Sequence, residues 1–243
     1  MKQVLYPSFD SKALSESRED LIQSLKLDGV LKSKVVEDSI RAIPREKFLW
    51  HGTPNFLAYA DEPQFLGDTG QTISAPHMVV MMLEELEITT GSKILEIGGG
   101  SGYEAALLGW ISAGGKSNQI LVLSIERDGR LVDFARNNIA TVGLSKIVNV
   151  VEGDGTLGYP QECADELYDR IIVAAGARRI PSFLKTQLKT GGLLLVPVGG
   201  LGYQRLVKLR KVRSADGSIL YEEKKLVDCM FVPLIGQDQP PLS

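Results

Sequence analysis

Apolar positions follow two regimes along the chain: helical spacing up to about position 90, then short strand-like runs alternating with helical ones. Leu21, Ile22 and Leu25 share one helical face, which Ser17 and Asp20 would open as a capping box and Gly29 would end. Val35, Val36, Ile40 and Ile43 predict a second helix over about 34–43, stopped by Pro44. From Pro44 to Gly70 the chain carries Pro54, Pro63 and Gly67 and reads as a loop. Its bulky residues (Phe48, Trp50, Phe56, Tyr59, Phe65) predict that it packs down onto the fold. A third helix starts at Pro76, whose missing N–H costs nothing in a first turn. Ser74 or Ala75 is its N-cap, and Met78, Val79, Met82, Leu83 and Leu86 form its buried face.

From Lys93 onward the alternation is regular. Ile94–Ile97 is a strand that runs into Gly98–Gly102, and a helix follows through Ala105, Ala106, Leu107, Leu108 and Ile111. Ile120–Ile125 is a near-continuous apolar run, as a strand covered on both faces requires, and it ends in Glu126. An amphipathic helix (Leu131, Phe134, Ala135, Asn138, Ile139, Val142) leads to Gly143. Ile147–Val151 and Asp169–Ala174 are the next strands, the former ending in Glu152-Gly153-Asp154-Gly155; a short helix over 181–188 and a strand over 193–198 complete the series. Arg205–Val212 and Ile219–Val227 flank an Asp216-Gly217 turn and read as an antiparallel hairpin; Cys229–Leu234 either continues its second strand or bends away. The expected architecture is a doubly wound, mostly parallel α/β sheet with right-handed crossovers, N-terminal helices and a C-terminal antiparallel hairpin. Two units are expected: residues 1–90 as a helical, substrate-side extension, and residues 91–243 as the main domain.

Composition narrows the partners. With 44% hydrophobic and 23% charged residues, the 243-residue chain is an ordinary globular sequence long enough to bury a full core. A formal charge of −3 argues against general nucleic-acid binding, which needs a basic face. The basic run Arg205, Lys208, Arg210, Lys211 and Arg213 is interleaved with apolar residues and reads as a strand with a solvated face. Cys163 and Cys229 form no CxxC spacing, so neither a disulfide framework nor a metal site is expected. Met1–Asp10 lacks a signal-peptide pattern and no stretch reaches membrane-span length, so a cytoplasmic protein without membrane contact is expected, as a monomer.

Three strand ends should converge on one crevice. Glycine there takes positive φ cheaply and lets backbone lie flat against a ligand. A dinucleotide fingerprint would place a third glycine at position 103, but that residue is Tyr103; the run is Gly98-x-Gly100-x-Gly102. Glu126, at the tip of the second strand, can accept both hydroxyls of a ribose. Asp154 can accept from an exocyclic amine, although Gly-Asp-Gly is also ordinary turn chemistry. No G-x-x-x-x-G-K-[ST] segment exists, so a nucleoside without a triphosphate is the ligand expected. The glycine loop resembles the first motif of S-adenosylmethionine-dependent methyltransferases. The fourth strand ends in Ala174-Ala175-Gly176-Ala177 instead of the Asn/Asp-Pro-Pro-aromatic run common in base-amine methyltransferases, and only Asp169 stands near the rim for a metal-dependent acceptor. Oxygen or carboxylate acceptors remain.

Further motifs sharpen the likeness. Gln71-Thr72-Ile73-Ser74-Ala75-Pro76-His77-Met78, Leu95-Glu96-Ile97-Gly98, Glu152-Gly153-Asp154-Gly155, Tyr168–Val173 and Gly191–Gly199 together resemble the protein-L-isoaspartate O-methyltransferase family, from about Leu21 to Leu234. The resemblance implies a Rossmann-like methyltransferase fold, Ser74 as the active-site serine, and a cofactor site lined by Gln71, Thr72, Glu96, Gly98, Gly100, Gly102, Glu126, Asp154 and Gly155. It implies that Val232, Pro233 and Leu234 border a peptide substrate. It implies S-adenosyl-L-methionine as cofactor, S-adenosyl-L-homocysteine as product, no metal, and isoaspartyl proteins and peptides as partners. The product ester would close to a succinimide and so begin repair. Three departures stand out: a Gly67–Gly70 segment one residue longer than usual, Val79 where a second His is common, and Gly99 where Thr or Ser is common. No C-terminal glutamine matches clearly, although Gln239 lies close. An isoaspartyl α-carboxylate, with a pKa near ~3.5, is already nucleophilic at pH 7, so His77 has no proton to remove and reads as structural. Competing readings are a methyltransferase of the same scaffold acting on a small molecule or RNA, and a cofactor-binding module without turnover.

Overall fold

A computed structural model describes residues 11–239 except 116, 162 and 164; the Met1–Asp10 segment read for targeting lies outside the described residues. Helix α1 runs from Ser11 to Leu27, beginning before the capping box expected at Ser17. Leu14 explains the earlier start: it continues the buried stripe of Leu21 and Leu25 by two turns. Ser17, inside the helix, donates its hydroxyl to the Ala13 carbonyl at 2.9 Å. Helix α2 (Lys34–Ala42) is capped by Ser33, and Glu84 accepts from the Lys32 and Ser33 N–H groups at 2.9 and 2.8 Å.

The stretch read as a loop folds into two single 3-10 turns, over Arg45–Phe48 and Asn55–Tyr59, and then half of a small hairpin. Strands β1 (Gln64–Phe65) and β2 (Thr72–Ile73) pair antiparallel, so the extra residue of the Gly67–Gly70 segment lies at the hairpin tip. Gly67, at φ +64°, is covered by the Trp50 ring; a Cβ there would come within 2.6 Å of its Cε2. Helix α3 (Pro76–Leu86) follows with Ala75 at the N-cap, so Ser74 stands one residue outside it.

The remaining elements are β3 (Ile94–Ile97), α4 (Tyr103–Ala113), β4 (Val122–Glu126), α5 (Gly129–Thr141), β5 (Val148–Glu152), β6 (Tyr168–Val173), α6 (Ser182–Gln187), β7 (Leu188–Gly200), β8 (Tyr203–Arg213) and β9 (Ile219–Cys229). They build one seven-stranded sheet in the order β5-β4-β3-β6-β7-β8-β9. The five strands from β5 to β7 are parallel, and β7-β8-β9 form an antiparallel meander. Connections from β3 first build outward through β4 to β5, and the chain then returns to β6 on the other side of β3. That reversal is a topological switch point, where ligands enter open α/β sheets.

Alternate residues of the strands enter opposite layers. Leu193 and Leu195 of β7 join one core with α1 to α5, while Leu194 and Val196 join the other with Leu184 of α6. The first core is continuous from Leu14 through Leu86 to Leu108, so the N-terminal helices share their hydrophobic burial with the sheet. The basic residues of β8 are held locally: Lys208 meets Glu85 and Glu87 at 3.1 and 2.6 Å, and buried Lys211 donates to the Leu188 carbonyl at 2.8 Å. Burial raises the Cys229 thiol to about 11, which keeps it unreactive.

After Cys229 the chain bends away from the sheet edge and crosses back over the strand tips. Gly176 N–H donates to the Val232 carbonyl, and Leu234 N–H to the Gly176 carbonyl, both at 2.8 Å. Gln237 N–H donates to Asp154 Oδ2 at 2.7 Å, and the Asp238 carboxylate accepts from the Ser182 N–H, also at 2.7 Å. Residues 230–239 therefore strap the tips of β5 and β6 to the start of α6.

Candidate active site

The glycine loop owes its shape to three positive-φ residues, Gly98 (+90°), Gly100 (+53°) and Gly102 (+82°), the last serving as N-cap of α4. Its neighbour Glu126 is held from three sides. Oε2 accepts from Gly100 N–H at 2.9 Å, and Oε1 from the Arg127 and Asp128 N–H groups at 2.6 and 3.0 Å. This fixes the carboxylate at the tip of β4, as its sequence position suggested. Gly99 has a different cause. A Cβ there would overlap the Ser124 hydroxyl, which donates to Glu96 Oε2. Glycine at position 99 thus goes with a serine–glutamate contact beneath the loop.

Three adjoining recesses open along the strand tips. The first is a groove of ≈ 530 Å³ walled by Ser74, Met78, Leu201, Met230, Val232 and Pro233 among others. The second, ≈ 40 Å³, lies between Thr72–Ser74, Gly98–Ser101, Tyr103 and Glu104. The third, ≈ 80 Å³, is bounded by Gln71, Gly98, Glu126, Gly155, Pro233 and Leu234 with their neighbours. Thr72, Ser74 and Ala174 belong to both the first and the second; Gly98 belongs to the second and the third. Ser74 therefore stands in the wall between the groove and the glycine loop.

Several expected residues have other places. Glu96 is fully buried and turned to Ser124, and it lines none of the three recesses. Asp154 also stays out of their walls. Its Oδ1 accepts from Thr156 N–H and Oγ at 2.9 and 2.6 Å, and its Oδ2 holds the C-terminal strap. Gly102 contributes through the helix start and not through a wall, whereas Gly155 is a true close approach: a Cβ there would overlap the Ile97 side chain. Gln239 ties the strap to the segment after β6, accepting from Arg178 N–H at 2.9 Å.

The Ser74 hydroxyl makes no hydrogen bond within the described residues, and the helix cap next to it is Ala75, which has no side chain to offer. Reading Ser74 as a plain N-cap is thereby excluded. Its backbone is pinned instead: Arg45 Nη2 donates to the Ser74 carbonyl at 2.9 Å. Arg45 is fully buried over the Tyr103 ring, 5.0 Å from its centroid, and its Nε and Nη1 have no partner. Desolvation pulls this guanidinium below its usual range. His77, at the groove rim, directs both its N–H and its Nδ1 to Asp61 Oδ1, at 2.8 and 3.0 Å. That is the structural role its sequence position suggested. Val79, in place of a second His, is buried against the second recess.

Arg45 and Glu104 are site residues that periodicity did not single out. Arg45 lies in a stretch read as loop, and Glu104 sits unremarked directly after the glycine loop. The acid at position 104 was the available signal: a carboxylate where the helix turns inward cannot be fully solvated.

The sequence model of the protein-L-isoaspartate(D-aspartate) O-methyltransferase (PCMT) family matches residues 16–239. The chain belongs to this family. A Methanopyrus kandleri protein-L-isoaspartate O-methyltransferase is 42% identical over 233 residues, covering 94% of this chain and 96% of the relative. One from Staphylothermus marinus is 43% identical over 223 residues, covering 90% and 94%. A Plasmodium falciparum crystal structure assigned to PCMT, in complex with S-adenosyl-L-homocysteine, superposes with a TM-score of 0.76 at 26% identity, covering 90% of this chain and 98% of that one. As a PCMT-family chain, it carries the Rossmann-like methyltransferase fold with its C-terminal antiparallel hairpin, and its family is S-adenosylmethionine-dependent.

Proposed function

We propose that this protein transfers a methyl group from S-adenosyl-L-methionine to the free α-carboxylate of L-isoaspartyl residues in damaged proteins and peptides, beginning their repair through a succinimide. The observation that carries the reading is the unpartnered Ser74 hydroxyl in the shared wall of an apolar groove and a glycine-loop recess.

The residues present fit the cofactor. Glu126, oriented by three backbone N–H groups, would take the ribose hydroxyls; Gly98 and Gly100 would let the backbone lie close to the bound cofactor, and Gln71, Thr72 and Gly155 would complete its walls. Gly102 starts α4, and Asp154 and Glu96 hold the strap and the loop floor in register. When bound, the cofactor supplies an electrophilic sulfonium methyl.

The chain's own residues then have two tasks. Ser74 donates its hydroxyl to one oxygen of the incoming carboxylate and leaves the other aimed at the methyl. The neighbouring N-terminus of α3 favours an anion there. Val232 and Pro233, in the groove wall, border the peptide and keep water from the reacting pair, whereas Leu234, expected beside them from the sequence, walls the third recess on the Glu126 side, its N–H held by the Gly176 carbonyl. Alignment at roughly 3–3.5 Å can supply several kcal/mol, and no general base is needed because the acceptor is already ionised. The first 90 residues serve as the substrate-side unit, since they bring Ser74, Ala75 and His77 to the groove.

Labelled S-adenosylmethionine offered with an isoaspartyl peptide and its aspartyl twin tests this directly. Label in the isoaspartyl peptide alone is expected; equal labelling of the twin, or label in neither, overturns the assignment.

A further inference from the structure

Ser74 stands between the end of β2 and the Ala75 cap of α3, outside both elements. Among the described residues it makes one hydrogen bond, in which its carbonyl accepts from Arg45 Nη2 at 2.9 Å. Arg45 opens a 3-10 turn, where side chains three apart eclipse, so Arg45 and Phe48 meet the same Tyr103 ring. The guanidinium lies 5.0 Å from the ring centroid and Phe48 packs edge-on at 5.4 Å. All three side chains are buried, and Tyr103 walls the second recess together with Ser74. The turn is itself tied to α1: Arg18 Nε donates to the Tyr59 hydroxyl at 2.7 Å, and Tyr59 donates to Glu46 Oε2 at 2.5 Å. A chain of contacts thus runs from the N-terminal helix through Arg45 to the backbone of Ser74.

A charge at this position is not explained by packing. Arg45 is fully buried, its Nε and Nη1 have no partner, and no described carboxylate pairs with it. Glu46, the next residue, is taken by Tyr59, and Asp61 Oδ1 is taken by His77. A guanidinium keeps its charge in a protein, and buried without a counter-ion it is costly; an apolar side chain of similar length would fill the same space at less cost. What the charge does provide is a charge-assisted hydrogen bond, stronger than a neutral donor could make, on the one residue whose hydroxyl is left without a partner. We infer that Arg45 is a positioning residue for methyl transfer: its charged hydrogen bond to the Ser74 carbonyl fixes the serine main chain and so keeps the free hydroxyl aimed at the acceptor carboxylate. This deepens the methyl-transfer reading and rests on it. No bond or proton moves at Arg45, which acts only through Ser74.

A double-mutant cycle with Ser74→Ala tests this. Arg45→Met removes the charge and the donor while keeping most of the volume. Methylation of an isoaspartyl peptide should slow about 10- to 100-fold, with S-adenosylhomocysteine affinity within about twofold of wild type. In the Ser74→Ala background the same substitution should change turnover by less than about twofold, because the group it positions is gone. Arg45→Lys keeps a charged donor and should bring turnover back to within about fivefold of wild type. Unchanged turnover in Arg45→Met, equal slowing in both backgrounds, or Arg45→Lys as slow as Arg45→Met overturns the inference. Thermal melting separates positioning from a structural role. Arg45→Met relieves an unpaired buried charge and should melt at or above wild type, so the variant is at once slower and no less stable. A melting point more than about 5 °C below wild type marks an arginine that holds the fold, and it also overturns the inference. Failure of the isoaspartyl assignment looks different: the wild-type chain itself would then leave the isoaspartyl peptide unlabelled, whereas failure of this inference alone leaves wild-type labelling intact.

Discussion

The two halves of the site are built on different principles. The recesses around the glycine loop are narrow and defined by backbone: positive-φ glycines, three N–H groups on Glu126, and Gly155 against Ile97. The groove beside them is wide and apolar, and segments far apart in the chain make its walls, from Pro63 and Ser74 to Met230 and Pro233. Backbone-defined recesses can hold one ligand in one pose. An open apolar groove suits a partner that varies in sequence and brings its own reactive carboxylate. Chemistry is thereby specified on one side and tolerance on the other, with Ser74 on the seam.

The seam should show the largest effect. Ser74→Ala removes a hydroxyl without a partner in the fold, so turnover on an isoaspartyl peptide should drop about 10²-fold while folding stability stays within about 0.5 kcal/mol. Turnover kinetics set beside thermal melting check this, and retained turnover would break the comparison at its centre. Next is the strap, which walls both sides. A Cβ at Gly236 would overlap Asp154 Oδ1 and Thr156 Oγ1, so Gly236→Ala should cost about 1–3 kcal/mol by denaturant titration and weaken both cofactor and peptide.

A change confined to the groove should move one side only. Met230 lines the groove and is 77% exposed. Met230→Glu should raise the peptide KM by about 5–10-fold through repulsion of an anionic substrate, with the cofactor Kd unchanged. The smallest effect belongs outside both regions. The Thr190 N–H, and after it Lys211, hold the Glu166 carboxyl down at about 2. A depressed acid contributes stability above its unfolded value, near ~4.3, and that contribution disappears as pH falls toward 2. Being exposed, it is screened. Glu166→Gln should cost about 0.5 kcal/mol or less at pH 7, narrow its gap to wild type as the pH approaches 2, and leave both ligand affinities alone.

Legibility in the sequence followed the same division. The glycine loop, Glu126 and the parallel strands could be read because their constraints are local: a turn needing positive φ, a carboxylate at a strand tip, apolar runs covered on both faces. The start of α1 was read too late because the periodicity is weak before Leu21, and Leu14 shows its role only against a distant partner. Asp154 illustrates a subtler difference. Its spacing suggested a ligand, while its oxygens meet Thr156 and Gln237, a residue 83 positions further along. Arg45 was hidden in a stretch read as loop, and nothing local marks a guanidinium that will be buried over Tyr103.

By itself, the order of apolar runs and glycines determined the doubly wound sheet and the crevice at its strand tips, and the Gln71–Met78 segment with the later motifs marked the family to which the chain belongs. Each of those depends on residues near one another in the chain, where sterics and periodicity act directly. Folding alone decided what faces what: that the Ser74 hydroxyl is free while its carbonyl is held, that the C-terminal segment straps Asp154, and that Glu96 is closed off against Ser124 beneath the glycine loop. These are matters of desolvation and of contacts between distant segments, and such energies exist only once the chain has closed around them.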